Sequence, residues 1–162
     1  MTIQADIAMI TAQEQRLTFP SFNEQDAFAI GSAMKAKADA GDLPMVIHVA
    51  LWDRILFYFA RPDTTADNED WVRRKANLVR RLHKSSYRVG RELAESGKTL
   101  ADRNLSEADH APHGGSFPIR LANAGIIGTI TVSGLPQRDD HSIVVTTIAE
   151  YLKIDISDIT LG

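Results

Sequence analysis

The sequence contains no cysteine, and this absence excludes several kinds of site. A chain without thiols forms no disulfide framework, thiolate nucleophile, iron–sulfur centre or cysteine-ligated zinc site. The first residues, MTIQADIAMITAQEQRL, have neither a basic start nor a long apolar run, so they predict no signal peptide and no membrane anchor. We therefore expect a cytoplasmic protein that has no membrane partner.

The common catalytic and nucleotide-binding motifs are also missing. Ser133 lies in the segment TVSG, without the G-x-S-x-G pattern that marks a hydrolase nucleophile between a strand and a helix. The chain has no G-x-x-x-x-G-K-[ST] segment and no G-x-G-x-x-G segment after a strand, so nucleotide binding by those devices is unsupported. No catalytic constellation is recognised, and whether the protein is an enzyme stays open.

One segment of the chain contains no acidic residues. The formal net charge is −3, yet residues 73–91 hold eight of the 18 Lys and Arg residues and no Asp or Glu. Such a stripe can bind phosphates, carboxylates or nucleic acid. It can equally be the solvated face of a helix, or pair with an acidic surface of a neighbouring subunit. We favour the second interpretation and expect no nucleic-acid partner.

Hydrophobic spacing and turn residues predict helices and strands in a definite order. Ile3, Ile7 and Ile10 recur at helical spacing and are followed by a brief strand at 17–19. Ser21 and Glu24 have the spacing of a capping box ahead of a second helix. The runs MVIHVAL and ILFYFA then form a hairpin around 52–54.

The second half repeats this alternation of helix and hairpin. One long helix is predicted from about residue 68 to residue 96, and the segments PIRLA and IIGTITVS form a hairpin around 123–125. The segment DDHSIVVTTIAEYLKI forms the last helix. The order predicts one α+β domain over residues 1–162, with a five-stranded, mainly antiparallel sheet between helical layers. Two direct hairpins argue against a parallel doubly wound sheet.

At this point the sequence resembles a known family. The run GGSFPI at 114–119, followed by GTITVSG at 128–134, is similar to the GG-x-P-I and G-x-I-x-V-S-G pattern of the haem-degrading/HbpS-like and GlcG-like family. Segments at 28–31, 67–75 and 83–86 resemble its branch of small uncharacterised single-domain proteins. The resemblance implies a profilin-like three-layer α/β/α sandwich, frequent higher oligomers, and haem or tetrapyrrole binding by some members.

The glycine run supplies the first candidate ligand-binding residues, Gly114, Gly115 and Ser116. Without a Cβ, the two glycines let backbone N–H groups approach a ligand or a second chain, and can form an anion-binding nest. The alternative is a tight loop that only begins the hairpin. Arg120, or Arg74 together with Lys75, could pair with a propionate or a phosphate; an interchain salt bridge is the alternative.

The histidines supply candidate metal ligands. His110 and His113 lie three residues apart in a polar loop, where an imidazole could reach a haem iron. The pair lacks the third ligand that a dedicated zinc site needs. His48 lies in an apolar strand and is expected to be a hydrogen-bonded core residue, whereas His141 has no evident partner.

Two functions from different classes remain. The first is a homo-oligomeric binding module that holds a small anionic or planar ligand, with haem as the candidate cofactor, near the glycine run. The second is a structural or interaction protein, in which the glycine run and the basic stripe are assembly surfaces. An enzyme acting with bound haem or corrinoid is a third reading that rests on the family name alone.

Overall fold

A computed structural model describes residues 2–162. Over these residues the chain forms five α-helices and four strands. In chain order they are α1 (Ile3–Arg16), α2 (Glu24–Ala40), β1 (Val46–Leu51), β2 (Ile55–Ala60), α3 (Ala66–Leu82), α4 (Ser86–Ser96), β3 (Ser116–Leu121), β4 (Gly125–Ser133) and α5 (Gln137–Leu152). The observed order confirms the predicted α+β class.

The four strands form one antiparallel sheet with the order β2-β1-β4-β3. Both predicted hairpins are present, and β4 joins them by pairing with β1 as well as with β3. The prediction of a fifth strand at 17–19 was wrong. Phe19 makes only an isolated parallel bridge to Leu121, within the short connection between the C-cap of α1 at Leu17 and the N-cap of α2 at Asn23.

The predicted long helix from 68 to 96 is in fact two helices, α3 and α4. His83 adopts a left-handed conformation with φ of 56° and ends α3, and the Ser85 hydroxyl accepts a hydrogen bond from the N–H of Arg88 at the start of α4. Glu14 of α1 accepts the N–H of Ser85 at 2.7 Å. The hydrophobic spacing continues across this break, so periodicity alone does not reveal it.

The start of α2 also differs from the predicted capping box at Ser21 and Glu24. Asn23 is the N-cap, and its side chain accepts the N–H of Asp26 at 3.2 Å. The Asp26 carboxylate accepts the Asn23 N–H in return, at 2.8 Å. These two hydrogen bonds fix the start of the helix, and Phe22, the residue before the cap, packs edge-to-face against Phe19.

Helices cover both faces of the sheet. On one face α2 and α5 enclose the main apolar core, to which the strands contribute Ile47, Val49, Ile130 and Val132. Neighbouring residues of β1 and β4 point to the opposite face, across which α3 lies. A smaller apolar cluster, which includes Leu78, joins α3 to α4. The face beneath α3 is the one that carries the candidate site.

Candidate functional site

The sheet face beneath α3 is buried but polar. The side chains that β3 and β4 direct toward it include Ser116, Thr129, Thr131 and Ser133, each at most 4% exposed. The hydroxyls of Ser116 and Thr131 lie 2.8 Å apart, and the Ser116 N–H donates to the Ser86 hydroxyl at 3.0 Å. Because this face is not apolar, α3 can place a charged side chain against it.

That side chain is Lys75, which is 3% exposed. Its Nζ donates to the carbonyl oxygen of Val132 at 3.2 Å and to a carboxylate oxygen of Asp140 at 3.1 Å. Asp140 lies in the first turn of α5, is 1% exposed, and accepts the N–H of Leu135 at 3.0 Å. A lysine ammonium has three N–H donors, so these two hydrogen bonds leave one unused.

Burial acts on both members of this pair. Desolvation lowers the pKa of Lys75 below its ordinary value, although the Asp140 carboxylate favours the charged form. Desolvation likewise raises the pKa of Asp140 to about 6, against the opposing effect of Lys75 and the backbone donors. Both charges are therefore costly in this site, and the free energy required to move the proton from Nζ to the carboxylate is smaller than for the same groups in water.

The glycine pair of the sequence motif packs against this ion pair. Gly115 has φ of +137°, and a Cβ there would stand 2.7 Å from Lys75 Nζ and 2.5 Å from the Val132 oxygen. The Gly114 N–H donates to the side-chain oxygen of Gln137 at 3.2 Å, and a Cβ at Gly114 would stand 2.0 Å from the backbone carbonyl oxygen of Gln137. The absence of side chains at 114 and 115 therefore makes room for Lys75 and for the start of α5.

A pocket of about 300 Å³ opens beside the ion pair. We call it the Lys75 pocket; its lining residues are Asp67, Asn68, Trp71, Lys75, His113, Ser133, Gly134, Leu135, Gln137 and Asp140. The first turns of α3 and α5 both contribute to this lining. The cap of α5, Pro136, provides no side-chain hydrogen bond, but its carbonyl oxygen accepts the N–H groups of Asp139 and Asp140 at 2.9 and 3.0 Å. What this helix start offers an anion is therefore the positive end of the helix dipole.

Aromatic and basic side chains form the rim of the pocket. The ring of His113 meets the ring of Trp71 edge-on at 5.2 Å. The Arg74 guanidinium lies 4.1 Å from the centre of the Trp71 ring and donates to Asp70 at 2.8 Å. Partial burial, together with the charges of Lys75 and Arg74, lowers the pKa of His113. Its imidazole is therefore predominantly neutral at pH 7.

Some of the candidate residues from the sequence analysis line the Lys75 pocket, and others lie beside it. Lys75 and His113 both line the Lys75 pocket, with Gly115 against the Lys75 amine. Ser116 is buried beneath α3, and Arg74 contacts Trp71 at the rim.

His110 and Arg120 are not among the lining residues. The Nδ1 of His110 lies 3.0 Å from the carbonyl oxygen of Ser106, and Arg120 lies on β3 opposite Ile126. The two histidines of the H-x-x-H segment are therefore not both brought to the pocket. Across residues 2–162, no group of three or more His, Asp or Glu side chains is placed to hold a metal ion.

The hydrogen bonding of two other histidines differs from what the sequence predicted. His141 is 1% exposed, and its Nε2 lies 2.8 Å from the side-chain oxygen of Gln13, so the expectation that it lacks a partner was wrong. His48 is half-buried and lines a second pocket of about 510 Å³ between β1, β2 and α3. Its Nδ1 is buried without a hydrogen-bond partner among residues 2–162, which corrects the expectation of a hydrogen-bonded core residue.

Sequence reasoning missed Asp140, the most important partner in the site. It lies 65 residues from Lys75 along the chain, and acidic residues are common in the first turn of any helix. Gln137 was missed for the same reason, since it is an ordinary helix-start residue. The only sequence signal near Gln137 and Asp140 was the loop GLPQRDD, which marks the helix start and not the pocket. Asp67 lies in the segment 67–75 that resembles the family, but it was not singled out as a site residue.

The lining and the volume of the Lys75 pocket differ from those of a site that encloses a haem. A haem needs apolar walls on both faces of its ring, whereas Trp71 and Leu135 are the only large apolar side chains in this lining. A volume of about 300 Å³ also lies at the lower end of the range for small-molecule sites. The pocket fits a compact polar ligand, and does not fit an enclosed tetrapyrrole.

No helix formed by residues 2–162 is sufficiently long and apolar to cross a lipid bilayer.

Comparison with solved structures supports the fold. The chain superposes on the crystal structure of Ybr137w protein with a TM-score of 0.83 and 24% identity, over 91% of this chain and 87% of that one. It superposes on the crystal structure of a PduOC:heme complex with a TM-score of 0.66 and 16% identity, over 80% and 94% of the two chains. The α+β arrangement is thus shared with a haem-binding protein.

Sequence comparison identifies closer relatives. The UPF0303 protein mlr5144 of Mesorhizobium japonicum is 44% identical over 163 residues, covering 100% of this chain and 98% of that protein. A UPF0303 protein of Serratia proteamaculans is 45% identical over 157 residues, covering 96% and 98%. The model of the family described as haem degrading protein HbpS-like matches residues 22–149. The chain therefore belongs to the HbpS-like family, among relatives that are called UPF0303 proteins.

Proposed function

We propose that the protein is a binding module that holds a compact anionic ligand in the Lys75 pocket. One observation carries the proposal: the buried Lys75 ammonium lines the pocket and has one N–H donor that its two hydrogen bonds do not use. A buried donor of this kind gains from a ligand acceptor, because an unmade hydrogen bond in a desolvated site is costly.

The charged groups around the pocket favour an anion once Asp140 is protonated. Gln137, the first residue of α5, lines the pocket, so the positive end of that helix dipole lies beside it, and His113 adds an imidazole at the rim. Asp67 and Asp140 oppose an anion, since both line the pocket. Because the pKa of Asp140 is raised to about 6, this carboxylate can take up a proton when an anion enters. The ligand then finds a cationic lysine beside a neutral acid.

Calorimetric titration with sulfate and with lactate tests this proposal. The variant Lys75→Met/Asp140→Asn removes both charges, while the new asparagine can still accept the N–H of Leu135; we expect it to lose binding. The variant Lys84→Met/Glu92→Gln removes a partly exposed pair, 2.8 Å apart, whose residues do not line the pocket; it is the matched control. Equal affinity in both variants, or no binding to the wild-type protein, would refute the proposal.

Haem is the second candidate ligand, favoured by the family match and by the haem-bound PduOC structure. On this alternative the macrocycle binds at the pocket mouth or elsewhere, with His113 or His110 as an axial ligand. An absorbance titration with haemin compares the wild type with His110→Ala/His113→Ala. A saturable Soret shift that the variant loses supports haem binding by these histidines, whereas an identical response in both proteins excludes it.

The proposal also includes a cytoplasmic homo-oligomer, and the edge strand β2 is the surface that favours assembly. Ile55 is 58% exposed and Tyr58 40% exposed along this edge, and Phe28 is 67% exposed beside Phe57. Open strand edges with apolar side chains commonly pair with another chain. Size-exclusion chromatography with light scattering should show an oligomer that Ile55→Lys/Tyr58→Lys dissociates. A monomeric wild type would refute assembly, and a structural role with it.

A further inference from the structure

We propose that Lys75 forms a reversible covalent imine with the carbonyl carbon of a small 2-oxo acid bound in the Lys75 pocket. This inference rests on the proposed function, because the 2-oxo acid must occupy the Lys75 pocket, and there the proton that Asp140 takes up comes from Lys75 and not from solvent. It adds a chemical reaction of the lysine and a ligand class that carries a carbonyl beside the carboxylate.

The placement of the amine carries the argument. Lys75 is among the residues that line the pocket although it is 3% exposed, so we expect a ligand there to meet an amine that bulk water scarcely reaches. Gly115 leaves the space that Nζ occupies, because a Cβ there would stand 2.7 Å from the nitrogen. The surface lysines at 35, 37 and 84 are each paired in partly exposed ion pairs and lack such an enclosure.

A nucleophilic amine must first lose a proton, and Asp140 can accept it. The Asp140 carboxylate oxygen lies 3.1 Å from Nζ, and both residues are almost fully buried. Transfer of the proton from Nζ to the carboxylate converts a buried ion pair into two neutral groups, so no net charge is created in the desolvated site. This neutral amine is the form that attacks carbonyl carbons.

The reaction balances with groups that the pocket contains. The Nζ lone pair attacks the carbonyl carbon, the C=O π electrons move to oxygen, and Asp140 protonates that oxygen to give a carbinolamine. The nitrogen returns a proton to Asp140, which donates it to the hydroxyl as this leaves as water. The product is a protonated imine on Lys75 beside an ionised Asp140, so the buried ion pair is regenerated and no oxidant or metal is consumed.

The pocket also selects the size and charge of the ligand. Its volume of about 300 Å³ suits a molecule of a few heavy atoms. The positive end of the α5 dipole favours a carboxylate beside Gln137, while the adjacent carbonyl carbon faces the amine. A 2-oxo acid provides both groups on neighbouring atoms.

Reductive trapping tests the inference on the intact protein. Wild-type protein is incubated with pyruvate and sodium cyanoborohydride, and the adduct is located by peptide mass mapping among the six lysines. We expect the reduced adduct at Lys75 ahead of every other lysine. Lys75→Arg keeps a cation beside Asp140 and should lose this adduct. Asp140→Asn should slow adduct formation about 10²-fold, the size of a general acid–base contribution.

If a variant fails to fold, peptide mass mapping of the trapped wild-type protein is sufficient to test the inference. Labelling spread over the surface lysines, with Lys75 not preferred, would overturn the inference. Lactate, which has no ketone, separates this failure from failure of the proposed function. Lactate binding without a trapped adduct refutes the imine and leaves the binding module intact. An adduct at Lys75 without lactate or sulfate binding refutes the anion site alone, and absence of both refutes both proposals.

Discussion

Lys75 Nζ occupies the space beside Gly115 that a side chain at residue 115 would need. A Cβ on residue 115 would stand 2.7 Å from that nitrogen, and the backbone there has φ of +137°. The second glycine of the family motif and the buried lysine are thus sterically linked, although 40 positions of sequence numbering separate them. The geometry of the pocket floor depends on both.

Replacement of this glycine is the first prediction. Gly115→Ala should lower the free energy of unfolding by about 2–4 kcal/mol, because backbone strain adds to the contacts with Nζ and with the Val132 oxygen. Gly125→Ala is the matched control: its φ is +76° but nothing lies within 4 Å of its Cβ position, so we expect a loss of about 1–2 kcal/mol. Urea denaturation measures both. Equal losses would show that contacts of a side chain at residue 115 with Lys75 and Val132 do not lower the free energy of unfolding.

A second prediction concerns the pair between Glu14 of α1 and Arg88 of α4. The Glu14 side chain is 2% exposed and accepts hydrogen bonds from the Arg88 guanidinium at 2.6 Å and the Ser85 N–H at 2.7 Å. Arg88→Met should cost about 3–5 kcal/mol of unfolding free energy, because it leaves a buried carboxylate without its cation. Glu14→Gln/Arg88→Met should cost less, since the amide oxygen still accepts the Ser85 N–H. A double variant less stable than the single one would contradict this account.

The third prediction is a pH dependence of stability that arises from His141. Burial lowers its pKa to about 3, whereas an unfolded histidine titrates near 6.5. Between these values the unfolded chain binds a proton that the native protein does not, so stability falls as the pH falls from about 6.5 toward 3. The slope attributable to His141 is about 1.4 kcal/mol per pH unit. His141→Gln should reduce the slope by that amount in urea titrations at several pH values; an unchanged slope would be inconsistent with a neutral buried imidazole.

Ligand affinity in the Lys75 pocket should also depend on pH, which is the fourth prediction. Since the pKa of Asp140 is about 6, acidification from pH 7.5 to 5.5 neutralises this carboxylate and should tighten sulfate binding by up to about tenfold per pH unit. Sulfate keeps its charge over this range. His113→Ala is the control that separates the contribution of the rim histidine from that of Asp140. Affinity that is independent of pH in the wild type would exclude coupling to the buried acid.

The sequence allowed prediction of those parts of the fold that depend on local pattern. Both hairpins follow from alternating apolar residues and their turns, and they were found. The break between α3 and α4 was missed because it depends on the left-handed backbone at His83 and the cap at Ser85, within an otherwise continuous helical spacing. The predicted fifth strand is absent because the connection between Leu17 and Asn23 is short, and only Phe19 of this segment pairs with β3, through one bridge.

The candidate site was predictable only in part, for a different reason. Lys75 and His113 were singled out because they lie in or beside segments that resemble the family. Asp140 could not be found this way, because its significance arises when α5 meets α3 over the sheet, and no local pattern encodes that meeting. The glycines at 114 and 115 were identified, but their spatial neighbours were not.

Helix α1 lies outside the segment that matches the family model, residues 22–149, yet it supplies partners to groups inside that segment. Asp6 contacts Arg138, Gln13 contacts His141, and Glu14 holds α4. Helix α1 therefore binds the rest of the domain through three buried polar side chains. A fragment limited to residues 22–149 would lack the acceptors that Asp6, Gln13 and Glu14 supply, so we expect the shortest stably folded form of this protein to be longer than the segment that matches the family model.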